Sequence, residues 1–144
     1  MTGVRRLLFA GALATIATTN ACIAAPATAI ETQPSAPVQI TACTSATGHS
    51  SGVWGTDSDG LHLAVSFRNR SAKVVSAVLV GFQLQNQFGD TLGRVSTQAT
   101  GHFSPGVLIE NQHWDGENDW PGFSTLICSV KRVLYSDGTV WSAR

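Results

Sequence analysis

The sequence predicts an all-β protein: a sandwich of about seven antiparallel strands with one disulfide, preceded by a signal peptide. Past residue 37, apolar residues recur with a period of two, and no stretch has the spacing of an amphipathic helix. Two cysteines lie far apart in this region, whereas the residues before it are mostly apolar and small. These observations lead to the fold prediction.

The N-terminus has the three parts of a cleavable export signal. Arg5 and Arg6 precede an apolar run over residues 7–18, which is too short to cross a bilayer as a helix. Small residues follow, and residues 27–29 match the A-x-A pattern of a cleavage site, with residues 23–25 as a second candidate. We therefore expect an exported protein, periplasmic or secreted, with no transmembrane span in the mature chain.

Cys22 also fits a second kind of export signal, that of a lipoprotein. It follows the small residue Ala21, as the lipidated cysteine of a lipoprotein does, although Thr19 stands where leucine is usual. Lipid attachment at Cys22 is thus an alternative to its removal with the signal. The predicted organisation is a signal peptide over residues 1–29, a proline-containing linker over 30–37 and one β-sandwich domain over 38–144.

Cys43 and Cys128 are left when the signal is removed. An even pair of distant cysteines in an exported chain predicts a structural disulfide. A redox or metal role favours close spacing such as C-x-x-C, which the chain lacks. The predicted bond joins the first strand to the penultimate one across the core.

The strands are predicted from alternation and from turn residues. They lie around residues 40–43 and over residues 61–68, 78–87, 92–100, 107–114, 126–135 and 140–141. Gly89-Asp90 is predicted as a two-residue hairpin turn, and Asp137-Gly138 as a second tight turn. We expect the large side chains Phe67, Phe82, Phe88 and Trp141 inside the core or at its edge. An immunoglobulin-like sandwich fits this pattern best, and a small barrel is the alternative.

Several segments resemble small secreted bacterial immunoglobulin-like domains, of the kind called FxLYD. The resemblance is carried by VSFRNRS at 65–71, by Phe88-Gly89-Asp90, by Cys128-Ser129-Val130 and by SDGTVW at 136–141. It covers residues 60–141 and rests on strand and turn residues. Such domains are mostly of unknown function, so the resemblance implies a fold and carries over no catalytic residue.

The charge balance excludes some classes of partner. The formal net charge is zero, and charged residues make up 12% of the chain. A nucleic-acid binder needs a basic face that neutralises phosphates, so we expect no nucleic-acid partner. The same balance gives no reason to expect electrostatic attraction to anionic lipids.

Catalytic and metal motifs are weak. Residues 48–52 fit G-x-S-x-G, the nucleophile elbow of α/β-hydrolases, which would make Ser50 the nucleophile of a small esterase-type enzyme. That elbow needs a strand-turn-helix over a parallel sheet, and the chain has no βαβ pattern, so we interpret these residues as an ordinary loop. The histidines at 49, 62, 102 and 113 lack metal-ligand spacing, and we expect His62 to be exposed. We expect no enzyme and no cofactor.

Two long connections form the candidate binding site. We expect residues 44–60 and 114–123 to be loops at the same end of the sandwich. Their carboxylates could bind calcium, and their tryptophans could stack on sugars, although solvated turns and edge packing explain the same residues. The candidates are Trp54, Asp57, Asp59, Trp114, Asp115, Glu117, Asp119 and Trp120.

The function expected from these observations is non-catalytic. We expect an exported binding or structural domain whose partner is another envelope or secreted protein. The alternative is a carbohydrate- or calcium-binding module that uses residues 44–60 and 114–123.

Overall fold

The computed structural model describes residues 26–51, 57–116 and 120–144. These residues form an all-β structure of eight strands. The strands are β1 (Ala27–Ile30), β2 (Val38–Ser51), β3 (Asp57–Asn69), β4 (Val75–Gln85), β5 (Thr91–Phe103), β6 (Leu108–Gly116), β7 (Thr125–Tyr135) and β8 (Val140–Ser142). Nowhere in the described ranges is there a helix with the length and hydropathy that crossing a membrane requires.

The strands form two sheets that pack as a sandwich. One sheet has the order β1-β7-β4-β5, and β8 also pairs with β7. The other has the order β2-β3-β6. Neighbouring strands are antiparallel except for β1, which runs parallel to β7. The predicted β-sandwich is confirmed, with β1 as a strand that the sequence pattern does not reveal.

The core lies between the sheets and follows the predicted alternation. The inward residues of β3 are Leu61, Leu63, Val65 and Phe67, and all four are buried. From β4 the core receives Val78, Val80, Phe82 and Leu84. Burial of such side chains is the main favourable term in folding, and it explains why the period-two pattern locates these strands correctly.

The predicted disulfide is confirmed. Cys43 of β2 and Cys128 of β7 are bonded across the core, with a sequence separation of 85 residues. Both residues are buried in the apolar cluster between the sheets. The bond therefore links the two sheets of the sandwich directly.

The long loop predicted over residues 44–60 is instead a β-hairpin. β2 continues to Ser51 and β3 starts at Asp57, and the two pair without a break from Ala42↔Ser66 to Ser51↔Asp57. A ladder continues past the core because every backbone N–H and C=O group needs a partner. This stretch is rich in Gly, Ser and Thr, and so it shows no apolar alternation that would reveal a strand.

The segment predicted as a linker lies against the sandwich. Ile30 is the last residue of β1, and the buried Ala36 precedes β2. The side chain of Gln33 donates from Nε2 to the carbonyl of Val130 and accepts through Oε1 from the N–H of Val130, at 3.0 and 2.8 Å. β1 also includes Ala27–Ala29, which the sequence pattern assigned to the end of the signal peptide. Cys22 and the rest of that segment lie outside the described residues.

Phe88 is not in the core, contrary to the prediction: 81% of this residue is exposed. Continuing the alternation of Phe82 and Leu84 would turn Phe88 inward, but pairing between β4 and β5 stops at Gln85↔Thr91. Residues 86–90 form a five-residue loop in place of the predicted two-residue turn. Trp141, in contrast, packs at the core edge as expected.

Candidate functional site

Three connections lie at one end of the sandwich, which we call the loop end. They are the described part of the β2–β3 hairpin beyond Leu61, residues 86–90, and residues 120–124 before β7. Leu61 pairs with Gly116, and the N–H of Ser124 donates to the carbonyl of Gln85 at 2.9 Å. The start of β1 lies at the same end, since the N–H of Ala27 donates to the carbonyl of Ser124 at 2.8 Å.

Only part of the predicted binding site falls within the described residues. Trp54, Glu117 and Asp119 lie outside them. Asp57 and Asp59 belong to the backbone of β3, where they pair with Ser51 and His49. Trp114 and Asp115 are residues of β6 and not of a loop, and Trp120 begins the final connection to β7.

Of the tryptophans in the predicted binding site, the two that are described, Trp114 and Trp120, pack towards the core. Trp114 forms an edge contact with Phe82 of the opposite sheet, with ring centroids 5.9 Å apart, and its Nε1 donates to the carbonyl of Gln98 at 3.4 Å. The ring of Trp120 occupies the space that a side chain on Gly93 would need. Both rings therefore fill the open edges of the sandwich, and neither stands out from the surface as a platform for stacking on a sugar.

Asp115 is hydrogen-bonded to a residue on the neighbouring strand. Its Oδ1 lies 2.6 Å from Nδ1 of His62, the residue opposite it on β3. An ionised carboxylate only accepts hydrogen bonds, so Nδ1–H of the imidazole is the donor. The His62 side chain is 16% exposed, which is well below the exposure expected from the sequence, whereas that of Asp115 is 59% exposed.

The predicted metal and nucleophile positions fall only partly within the described residues. No group of three or more His, Cys, Asp or Glu side chains within them is arranged to hold a metal ion. Ser50 lies within β2, opposite Ser58 of β3, so its backbone belongs to an antiparallel ladder. A nucleophile elbow needs a sharp turn between a strand and a helix, and this ladder does not provide one.

A different element stands out at the loop end: residues 86–90, between β4 and β5. Oδ1 of Asn86 accepts from the N–H groups of Phe88 and Asp90, each at 2.9 Å. Nδ2 of Asn86 donates to Oδ2 of Asp90 at 3.1 Å, and the backbones of these two residues are also hydrogen-bonded. Gly89 supplies the positive φ of 84° that the turn needs. The loop is held from within and carries Phe88 at its tip.

Sequence reasoning missed this loop, although a signal was present. Asparagine side chains commonly accept from the backbone N–H two residues ahead, and Gly favours positive φ. The order Asn86, Phe88, Gly89, Asp90 therefore contains the parts of a closed loop. Gly89-Asp90 considered alone predicts a two-residue turn, and that prediction places Phe88 in the strand.

No protein-family model, curated protein or solved structure matches this chain. The resemblance to FxLYD-type domains thus stays a prediction, and function has to be inferred from the residues and their geometry.

Proposed function

We propose that this chain is an exported, non-catalytic binding domain that contacts another protein through Phe88 at the loop end. Export is supported by the basic, apolar and small-residue segments of the N-terminus and by the buried disulfide, which is typical of oxidising compartments. The exposure of Phe88 is the observation that carries the binding role.

Phe88 is unusual among the apolar side chains. Of the large hydrophobic residues exposed in the described ranges, it is the most exposed at 81%, and the next is Val140 at 54%. Covering a phenylalanine side chain is worth roughly 1.5–3 kcal/mol. Aromatic residues at the centre of an interface commonly supply this energy in protein complexes.

The loop presents Phe88 in one conformation. Oδ1 of Asn86 accepts from the N–H groups of Phe88 and Asp90, and these bonds fix the backbone on both sides of Phe88 before any partner arrives. Binding then costs less conformational entropy than it would for a loose loop. This arrangement is typical of an anchor residue that enters a preformed apolar pocket.

The surroundings of Phe88 favour a protein over a membrane. Asp90 lies in the same loop, and residues 84–93 contain no Lys or Arg that would attract an anionic lipid surface. A single aromatic side chain is also too small an anchor for stable membrane attachment. The partner we propose has an apolar pocket that receives an aromatic side chain at position 88.

Site-specific photo-crosslinking tests this function. The photoreactive amino acid p-benzoylphenylalanine would replace Phe88 in the chain expressed in its native envelope. We expect one discrete protein adduct on irradiation, because position 88 lies inside the proposed interface. Adding Asn86→Ala should reduce the yield several-fold, because the loop then samples other conformations.

Val107 provides the matched control. It is also an exposed apolar residue, but it lies at the opposite end of the sandwich, between β5 and β6. The same label at position 107 should give no such adduct. Equal adducts at both positions, adducts with lipid only, or no adduct at position 88 would contradict the proposed role of Phe88.

A further inference from the structure

We infer that the export signal is cut upstream of Ala27, so that β1 stays in the mature protein as the edge strand that covers β7. This inference rests on the proposed export of the chain. The sequence alone offers two cleavage patterns, and the A-x-A motif favours residues 27–29 over residues 23–25, which read Ile-Ala-Ala. The fold favours the upstream site instead, because residues 27–30 are part of a sheet.

The N-terminal part of β7 is covered by β1. Ala27, Thr28, Ala29 and Ile30 pair with Thr125, Leu126, Ile127 and Cys128 in that order. The ladder is extended at both ends, by the N–H of Ala27 donating to Ser124 and by the N–H of Glu31 donating to Cys128, at 2.8 and 2.9 Å. All four side chains of β1 are exposed, so the strand is held mainly by its backbone.

Beyond β1, other segments cover the rest of the same edge of β7. At Val130 the amide of Gln33 takes the place of a strand, since it bonds to both the N–H and the carbonyl. The carbonyl of Lys131 accepts from the N–H of Ala143 at 3.0 Å. β8 then pairs with residues 132–134. The edge of β7 is thus covered along its length by β1, Gln33 and β8 together.

Cleavage after Ala29 would uncover part of this edge. It would remove three of the four residues of β1 and leave the backbone of β7 around Thr125, Leu126 and Ile127 without its neighbour. Long unpaired strand edges are templates for aggregation, and native sheets commonly end in a very short strand such as β1. The new α-ammonium group would also lie on Ile30, directly opposite Cys128.

Cleavage further upstream has none of these effects. A cut within the small-residue run 21–25 keeps all of β1. A lipoprotein cut before Cys22 keeps it as well, and so the inference holds for both export routes.

Intact-mass measurement with N-terminal sequencing of the exported protein tests the inference. We expect a mature N-terminus between residues 22 and 27, with or without the added mass of a lipid on Cys22. A mature chain starting at Thr28 or later, for example at Ile30, would overturn the inference and leave the export proposal intact. An uncut chain of full mass would overturn both.

A second measurement tests the physical basis directly. Chains that begin at Pro26 and at Ile30 would be purified, and their thermal unfolding compared. We expect the shorter chain to melt at least about 5 °C lower, because it loses several backbone hydrogen bonds of the β1–β7 ladder. A chain starting at Ala24 serves as the control and should match the one starting at Pro26. Equal melting temperatures for all three chains would overturn the role assigned to β1.

Discussion

Asn69 shows how one buried polar residue organises the end of the sandwich opposite the loop end. Its Nδ2 donates to the carbonyls of Lys73 and Phe103, at 2.8 and 2.9 Å. Its Oδ1 accepts from the N–H and the hydroxyl of Ser71, at 2.9 and 2.7 Å. The residue is fully buried, and its side chain ties the β3–β4 turn to the end of β5.

Replacing Asn69 with Asp should destabilise the fold by about 2–4 kcal/mol. The amide nitrogen, which carries both N–H donors, becomes a carboxylate oxygen that faces the carbonyls of Lys73 and Phe103, and a charge is buried without a cation. The free energy of unfolding from urea titration measures the loss. The same substitution at the exposed Asn111 is the control, with a change of about 0.5 kcal/mol or less. Similar losses at both positions would contradict the role of Asn69.

At the scale of elements, the sequence predicts strands where burial imposes a pattern. Leu61, Leu63, Val65 and Phe67 alternate because one face of β3 lies on the core. The hairpin beyond Leu61 carries no such pattern, since its pairing is fixed by backbone hydrogen bonds. β1 shows no apolar pattern either, because all four of its residues are exposed. This short strand is held by pairing with β7, which lies far along the chain.

The contacts of the candidate site are also hard to predict from local sequence patterns. The contacts of Trp114 and Trp120 involve residues that are distant in sequence. The ring of Trp120 lies against Gly93, where a larger residue would not fit, and the ring of Trp114 packs against Phe82. Sequence reasoning selected the loop end, yet Trp114 and Trp120 pack against the core there. Phe88 is exposed in a loop whose N–H groups at Phe88 and Asp90 donate to Oδ1 of Asn86, and apolar alternation does not predict these bonds.

Asp137 connects two elements, and its effect should depend on pH. Its carboxylate accepts from Nζ of Lys73 in the β3–β4 turn at 2.7 Å, and from Thr139 within the β7–β8 hairpin. The hydrogen bond from Lys73 first, and then those from Thr139, hold the pKa of Asp137 well below its ordinary value of 3.8. Because the folded state favours the ionised form, the stabilisation is present above the pKa of the unfolded chain. It is lost as the pH falls towards the lowered pKa of the folded state.

Asp137→Asn should therefore lower the melting temperature slightly at neutral pH, by about 1–2 °C, since the pair is exposed and screened by salt. The difference from the parent chain should shrink as the pH falls below about 3.8 and should also be smaller in concentrated salt. Thermal unfolding monitored by circular dichroism at several pH values measures it. A deficit that is as large at about pH 2 as at neutral pH would show that the charge of Asp137 is not responsible.

For the whole molecule, the disulfide is the one covalent crosslink in the described residues that joins the two sheets in addition to the backbone. It joins β2 to β7 and spans 85 residues of sequence, so it constrains most of the domain when the chain is unfolded. In the chain-entropy account, a crosslink of this span contributes about 4–5 kcal/mol to stability. That is a large part of the about 5–15 kcal/mol that small domains have in total.

Reducing the Cys43–Cys128 bond should therefore lower the free energy of unfolding by about 4 kcal/mol, because the reduced chain gains freedom mainly in its unfolded state. The slope of free energy against urea should rise as well, since the unfolded chain exposes more surface without the crosslink. Urea titration of the mature protein with and without reductant measures both quantities. A Cys43→Ala/Cys128→Ala variant is the control for the reductant itself, since its stability should not respond to it. A loss below about 1 kcal/mol on reduction would mean that the packing between the two sheets holds the sandwich together without the bond.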